Sequence, residues 1–175
     1  GGSTDRAVLL RSLQRQQPPA YHLMPRPRGA FGNLVPEALE HDSIDAGKVE
    51  IQVQAVGINF RDVLNVLGMY PGDPGDPGGD CSGIVTRVPE NGGMLTVGQR
   101  VFGLAAGSLG SHVVASDKTL VPIPDGMSFQ EASTMPTVFI TVETALNKIA
   151  DIQPGETLLM HAAAGGVGLA AIQMA

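Results

Sequence analysis

A glycine-rich turn near residue 165 constrains the fold of this 175-residue chain more than any other feature. The turn belongs to the phrase His161-Ala-Ala-Ala-Gly-Gly-Val-Gly168, which follows the short apolar run Glu156-Thr-Leu-Leu-Met-His161. Such a run is typical of a buried parallel strand. Ala163, Gly165 and Gly168 have the spacing of the glycine fingerprint that joins a strand to a helix in dinucleotide-binding domains, with alanine in the first glycine's place.

In this interpretation the turn holds a pyrophosphate. Gly165 lets the ligand approach the backbone, and Gly168 lets the helix pack closely on the strand. The free N–H groups at the start of the helix then face the phosphate charge. The alternative is an ordinary tight turn whose small residues serve packing alone. The residues predicted to contact the cofactor are Ala164, Gly165, Gly166, Val167 and Gly168.

The first 127 residues predict a compact β-rich structure. Lys48–Val56 alternates apolar and polar side chains, as a half-buried antiparallel strand does. Pro71–Gly79 repeats a Pro-Gly-Asp unit and predicts a loop, because proline and glycine disfavour both helix and strand. Further short strands are predicted over Arg6–Leu13, Cys81–Val88, Gly98–Gly103 and Ser111–Ala115.

Helical signals appear at three places. Asn59 is placed to cap a short helix, and Ser128-Phe-Gln-Glu131 has the form of a capping box. Pro136–Ile149 then carries apolar residues at helical spacing. The sequence therefore predicts an α/β protein in three parts: residues 1–5 as a linker, 6–127 as a β-rich domain, and 128–175 as a helix and the opening strand, turn and helix of a nucleotide-binding domain.

Composition narrows the possible functions. The apolar fraction of 43% suffices for a packed core, and no apolar run approaches the ~18 residues that span a bilayer. No signal peptide is evident, so we expect a cytoplasmic protein without a membrane partner. The single cysteine, Cys81, and the scattered histidines show no metal-ligand spacing, so we expect no metal. No nucleic-acid motif is present, so nucleic acid is not expected as a partner.

Four phrases occur in a fixed order along the chain. They are Gly57-Ile-Asn-Phe-Arg-Asp-Val-Leu64, Gly68-Met-Tyr-Pro-Gly72, Gly78-Gly-Asp-Cys-Ser-Gly-Ile-Val85 and His161-Ala-Ala-Ala-Gly-Gly-Val-Gly168. In this order they resemble enoyl reductase domains of type I polyketide synthases, which are zinc-free, quinone reductase-like members of the medium-chain dehydrogenase/reductase superfamily. The resemblance begins near residue 6 and extends to residue 175.

The resemblance implies a GroES-like substrate domain followed by the opening of a truncated Rossmann domain. It also implies hydride transfer from NADPH to the β-carbon of an α,β-unsaturated acyl thioester, followed by protonation of the α-carbon. The acyl chain would be attached to an acyl carrier protein through phosphopantetheine, with other megasynthase domains as neighbours.

Four further residues match positions of functional residues in that family. Asn59 and Phe60 match residues that approach the nicotinamide, and Thr141 matches a threonine of the nicotinamide pocket. Tyr70 matches a tyrosine near the α-carbon, whose phenol is a candidate proton donor. The alternative for Tyr70 is a packing residue, and Asn59 has its predicted role as a helix cap.

Two other functions remain open for the sequence. One is a free-standing NADPH quinone or enone reductase, and the other is a non-catalytic scaffold module of a megasynthase. A complete family member is much longer, so we expect the isolated chain to be inactive. The residues do not distinguish NADPH from NADH, because the ribose-binding position lies about 20 residues beyond the turn.

Overall fold

Seven short strands form the β-rich part of the computed structural model, which describes residues 20–39 and 43–175. Five of them form one antiparallel sheet in the order β6-β3-β4-β5-β7, and β1 pairs with β2 in a separate hairpin. The strands are β1 (Tyr21–Pro25), β2 (Leu34–Ala38), β3 (Lys48–Gly57), β4 (Asp80–Arg87), β5 (Arg100–Leu104), β6 (His112–Ser116) and β7 (Leu120–Pro122).

The alternating segment forms the long strand β3, as predicted. Val49 and Ile51 are fully buried, which agrees with the apolar side of the pattern. Glu50, on the polar side, is nevertheless buried, because its carboxylate accepts hydrogen bonds from the Thr86 hydroxyl at 2.9 Å and from the Arg87 guanidinium at 3.2 Å. Buried charge is tolerated when it is paired in this way.

The core of the sheet comes from neighbouring strands. The predicted strands after the loop are confirmed with shifted ends, as β4, β5 and β6. The buried apolar side chains of this core are Val49, Ile51, Cys81, Val85, Leu95, Val101, Ala105, Val113, Ala115 and Leu120. Removing such side chains from water supplies roughly 25 cal/mol for each Å² of apolar surface buried. The β-rich part therefore has its own core, separate from the glycine turn.

One short helix lies between β3 and β4, one follows the glycine turn, and the others lie between β7 and that turn. They are α1 (Phe60–Val66), α2 (Phe129–Ser133), α3 (Pro136–Val142), which continues into a π-helical segment (Glu143–Ile149), and α4 (Gly166–Met174). Both predicted caps are confirmed. Asn59 precedes α1 in a capping box with Asp62, and Ser128 precedes α2 in a capping box with Glu131.

The glycine turn is followed by helix α4, as predicted, but Glu156–His161 is not a strand. That strand prediction is wrong, because a parallel strand exists only when a neighbouring strand accepts and donates its hydrogen bonds. Among the described residues no strand lies beside this segment, and the Leu159 side chain is 80% exposed. Helix α4 packs instead on α3, through a small core of Val142, Ala170 and Ala171.

Two predictions concern residues that the structure does not describe. The linker at residues 1–5 and the strand over Arg6–Leu13 both lie outside the described residues. In the described part of the chain, every helix is too short or too polar to cross a membrane.

Candidate active site

A cleft of about 450 Å³ brings together residues from both ends of the described chain. Asn59 and Phe60 at the start of α1 line it from one direction, and Gly166 and Val167 at the start of α4 line it from another. Phe60 is 75% exposed and Ile58 is 61% exposed, so apolar side chains form part of the open surface of the cleft. Four of the sequence-predicted cofactor residues therefore share one cavity. The other lining residues are Gly57, Ile58, Asp80, Thr134 and Val138.

The glycine turn has free backbone donors. Gly165 precedes α4 in an extended conformation, and its carbonyl accepts the first helical hydrogen bond, from the N–H of Leu169 at 2.8 Å. Among the described residues, the N–H groups of Gly166, Val167 and Gly168 have no protein acceptor. These donors lie at the positive end of the helix dipole, where anions bind favourably.

Gly165 and Gly168 differ in the space around them. A Cβ atom added to Gly165 would meet only the Ala162 carbonyl oxygen, at 3.4 Å. A Cβ atom added to Gly168 would lie 2.5 Å from the Ala163 Cα atom and 2.6 Å from the Ala162 oxygen. Gly168 is thus required for packing, whereas the surface at Gly165 is open. An open backbone surface beside free N–H groups fits a pyrophosphate.

Thr141 lies near the same turn but outside the cleft. It lines a neighbouring cavity of about 440 Å³ together with Gly165, Gly166, Val167 and Gly168. Its hydroxyl donates to the Thr137 carbonyl at 2.6 Å. Ala164 lines neither this cavity nor the cleft. The structure therefore places Thr141 beside the glycine turn, on a different cavity from Asn59 and Phe60.

Tyr70 is separate from these groups. It does not line the cleft, and its half-buried ring lies against the guanidinium of Arg61, with 5.2 Å between the Arg61 Cζ atom and the ring centroid. Its N–H donates to the Leu64 carbonyl at 3.2 Å. Tyr70 is therefore held by both backbone and ring contacts beside α1.

Sequence reasoning missed the importance of Asp80. This carboxylate is 1% exposed and accepts hydrogen bonds from the Thr137 N–H at 3.1 Å and the Thr137 hydroxyl at 2.6 Å. It therefore fixes the start of α3 against β4, at the wall of the cleft. The available signal was an acid at the start of an apolar strand, where an unpaired charge would be costly.

Asp62 has a similar role on α1. One carboxylate oxygen accepts from the Asn59 N–H at 2.9 Å, and the other accepts from the Gly78 N–H at 2.9 Å. Asp62 thereby links the start of α1 to the end of the Pro-Gly-Asp loop. Because Asn59 lines the cleft, the Asp62 carboxylate fixes the position of the Asn59 backbone at the cleft.

Cys81 is buried in the sheet next to Asp80. Burial, and secondarily the negative charge of Asp80, raises the pKa of the Cys81 thiol to about 12. The thiol is therefore protonated at neutral pH and is neither a nucleophile nor a metal ligand in this state. Within the part of the chain that the structure describes, no three histidine, cysteine or acidic side chains form a metal-binding group.

Comparison with known families identifies the β-rich part. Residues 45–125 match the alcohol dehydrogenase GroES-like domain. The chain is 41% identical over 163 residues to the pikromycin polyketide synthase component PikAII of Streptomyces venezuelae, covering 90% of this chain and 4% of that protein. It is 37% identical over 159 residues to the highly reducing polyketide synthase lcsB of Purpureocillium lilacinum, covering 91% of this chain and 6% of that protein.

Solved structures agree with these relatives. CurK enoyl reductase has a TM-score of 0.83 and 38% identity, over 89% of this chain and 50% of that one. A mycobacterial protein complexed with NADPH has a TM-score of 0.76 and 28% identity, over 88% of this chain and 48% of that one. The chain thus spans about half the length of these structures and a small part of the polyketide synthases.

Proposed function

Because this chain belongs to the medium-chain dehydrogenase/reductase superfamily, among the enoyl reductase domains of type I polyketide synthases, we propose that it reduces α,β-unsaturated acyl thioesters. The observation that carries the proposal is the cleft that joins Asn59 and Phe60 to Gly166 and Val167. The start of α4, with its free N–H groups, and an exposed aromatic ring line this one cavity. A nicotinamide dinucleotide needs both an anion site and an apolar surface.

The cofactor of this proposal is NADPH, which supplies a hydride for the β-carbon when it is bound. Residues Ala164–Gly168 would hold its pyrophosphate, and Asn59, Phe60 and Thr141 would line its nicotinamide. The choice of NADPH is supported by the complex of the mycobacterial relative, whose sequence is 28% identical. Asp80 positions Thr137 and the start of α3, so that this wall keeps its shape as the cofactor enters.

Tyr70 is the proposed proton donor for the α-carbon. The Tyr70 ring is held against Arg61. We assign the substrate domain to residues 6–127, and the connecting helix and first unit of the Rossmann domain to residues 128–175. In this proposal the protein acts in the cytoplasm.

The substrate is carried by an acyl carrier protein, through phosphopantetheine, among neighbouring domains of the synthase. This assignment is supported by the polyketide synthases that share this sequence. A second candidate function is a free-standing quinone or enone reductase. It is supported by a quinone oxidoreductase structure from Pseudomonas syringae with a TM-score of 0.77 and 30% identity.

The test is an assay of NADPH oxidation by the full-length protein with a crotonyl thioester, an α-methyl crotonyl thioester and a small quinone. Turnover of the thioesters with little of the quinone is expected. Turnover of the quinone alone would establish the second function. No oxidation with any of the three would indicate a scaffold module without catalysis.

The variant Tyr70→Phe separates hydride transfer from proton transfer. It removes the hydroxyl and retains the ring on Arg61, so reduction should continue, slowed by no more than the ~10²–10⁴-fold that a positioned acid contributes. With the α-methyl substrate the product should lose its single configuration, which chiral chromatography measures. If both the rate and the configuration are those of the wild type, Tyr70 is a packing residue.

A further inference from the structure

A second cavity, of about 390 Å³, shares Asn59 with the cleft. It is called here the Arg61 cavity. Its volume lies within the roughly 300–1,000 Å³ of ligand sites. Because Asn59 lines both cavities, the Arg61 cavity and the cleft lie next to each other. The residues that line it are Asn59, Arg61, Asp62, Asn65, Pro74, Gly75, Asp76, Gly78, Gly79, Leu104, Ala105, Ala106 and Thr137.

Several polar side chains of the Arg61 cavity are already engaged by the protein. Both carboxylate oxygens of Asp62 accept backbone N–H groups. Asn65 is 2% exposed, accepts from the Arg28 side chain at 3.0 Å and donates to the Gly75 carbonyl at 3.1 Å. The Thr137 hydroxyl is bonded to Asp80. These groups shape the walls and have little hydrogen-bonding capacity left for a ligand.

Arg61 differs from them. One nitrogen of its guanidinium donates to the Pro74 carbonyl at 3.1 Å, and its Cζ atom lies over the Tyr70 ring, 5.2 Å from the ring centroid. A guanidinium has five N–H donors in a rigid plane, so further donors remain for a ligand. The side chain is exposed, and its two contacts restrict its motion at the cavity. Arg61 is the one cation among the residues that line the cavity.

The other charges of the cavity limit what Arg61 can bind. Asp62 and Asp76 also line it, so that two carboxylates accompany one guanidinium. A phosphate or carboxylate ligand would be repelled by both acids, whereas a neutral carbonyl oxygen needs only one donor. The cavity therefore favours a neutral ligand with a carbonyl group that accepts a hydrogen bond.

We propose that the Arg61 cavity binds the thioester group of the acyl substrate, with the Arg61 guanidinium donating to the carbonyl oxygen. The assignment deepens the proposed reductase function and rests on it. When the β-carbon gains a hydride, the electron pair of the Cα=Cβ bond moves toward the carbonyl and places negative charge on its oxygen. A fixed cation stabilises that charge. Protonation of the α-carbon then restores the C=O bond.

The same geometry connects the two proposed roles beside α1. Tyr70 contacts Arg61 through its ring, so the proposed proton donor and the proposed carbonyl donor form one packed pair. The carbonyl carbon is bonded directly to the α-carbon in an acyl thioester. A carbonyl held by Arg61 would therefore place the α-carbon close to the Arg61 guanidinium, which also contacts the Tyr70 ring.

The experiment uses the full-length protein without cofactor and a butyryl thioester of N-acetylcysteamine with a ¹³C-labelled carbonyl. This saturated ligand binds without reacting. Calorimetry measures its affinity, and isotope-edited infrared spectroscopy measures the carbonyl stretch, which falls in frequency when a cation polarises the bond. The variants are Arg61→Met, Arg61→Lys and, as a control that removes an exposed positive charge elsewhere, Lys118→Met.

Arg61→Met should weaken binding by roughly tenfold or more, the cost of a hydrogen bond from a charged donor, and should return the stretch toward its value in water. Arg61→Lys should be intermediate in both, and Lys118→Met should match the wild type. The proposal is overturned if the wild type does not bind the thioester, or if a folded Arg61→Met variant keeps both the affinity and the frequency of the wild type.

The role of Arg61 and the reductase function are tested by different results. A wild-type protein that oxidises NADPH with a crotonyl thioester, while Arg61→Met leaves the infrared frequency unchanged, removes the role of Arg61 and keeps the reductase. A wild-type protein that does not turn over the thioester removes the reductase itself. If Arg61→Met does not fold, as judged by circular dichroism, Arg61→Gln, which removes the charge and keeps a polar side chain, replaces it and should also weaken binding and raise the carbonyl frequency.

Discussion

Gly165 and Gly168 are three residues apart in the same turn, yet the structure predicts that their substitution affects different properties. At Gly168 an added Cβ atom lies 2.5 Å from the Ala163 Cα atom, whereas carbon atoms in contact normally lie 3.5–4.0 Å apart. The obstructing atoms are backbone, so they cannot rotate away as a side chain would. At Gly165 the nearest atom is at 3.4 Å, and φ is −81°, which alanine adopts without strain.

The magnitudes follow from this difference. Overpacking costs about 1–3 kcal/mol, and contact with backbone places Gly168→Ala near the upper end. Alanine favours the helix over glycine by about 1 kcal/mol, which leaves a net loss of roughly 2 kcal/mol. Gly165 lies outside the helix, so alanine has no helix-propensity advantage there, and Gly165→Ala should change stability by about 0.5 kcal/mol or less. Guanidinium denaturation of the full-length protein measures both values.

Substitutions at the two positions should also differ in their effect on the affinity for NADPH. Gly165→Val places a branched side chain where the proposed pyrophosphate needs bare backbone, so affinity should fall at least tenfold, or about 1.4 kcal/mol. Gly32→Val is a matched control, because its added Cβ atom has no neighbour within 4 Å. Fluorescence titration gives the affinities. If Gly165→Val binds NADPH as the wild type does, or if Gly168→Ala is as stable as Gly165→Ala, the assignment of separate roles is wrong.

Two further predictions concern carboxylates. Asp80→Leu should destabilise the protein by about 1–3 kcal/mol in denaturant titrations, because leucine has a similar size but accepts neither hydrogen bond from Thr137; an unchanged midpoint would contradict this. The hydrogen bonds from Ser128 lower the pKa of Glu131 below its ordinary value of 4.5. The ionised carboxylate therefore stabilises α2 fully above pH 4.5, and this stabilisation is lost as the pH falls through the lower pKa of the folded state. Glu131→Gln should therefore lower the melting temperature most at neutral pH and progressively less as the pH falls below 4.5, and a loss that does not change with pH would refute the linkage.

The sequence predicted features whose causes are local. The capping box of Ser128 and Glu131 depends on two residues three positions apart, and the loop at Pro71–Gly79 depends on the residues within it. The strand β3 was predictable because its two sides differ in polarity. In each case the interacting groups are near neighbours in the chain, so their spacing alone specifies the structure.

The features that sequence reasoning missed depend on distant partners. Glu50 is buried through Thr86, 36 positions away, and Asp80 is bonded to Thr137, 57 positions away. The incorrect strand prediction at Glu156–His161 has the same cause, because a strand forms only beside a second strand that is distant in the sequence. Of the predicted site residues, the structure brings Asn59 and Phe60 to the glycine turn but leaves Tyr70 beside α1, because the turn after that helix directs it there.

The polar groups of the site divide into those that the protein satisfies and those that it does not. The carboxylates of Asp62 and Asp80 are buried and fully engaged, and a buried charge that is already bonded contributes rigidity and little affinity for a ligand. The N–H groups that begin α4 and the remaining donors of Arg61 lie at open surfaces. A ligand gains most from donors that lose little solvation when they bind it. In the proposed function, the N–H groups of α4 would bind the charged pyrophosphate and Arg61 would bind the carbonyl oxygen, while Asp62 and Asp80 hold the backbone around both positions.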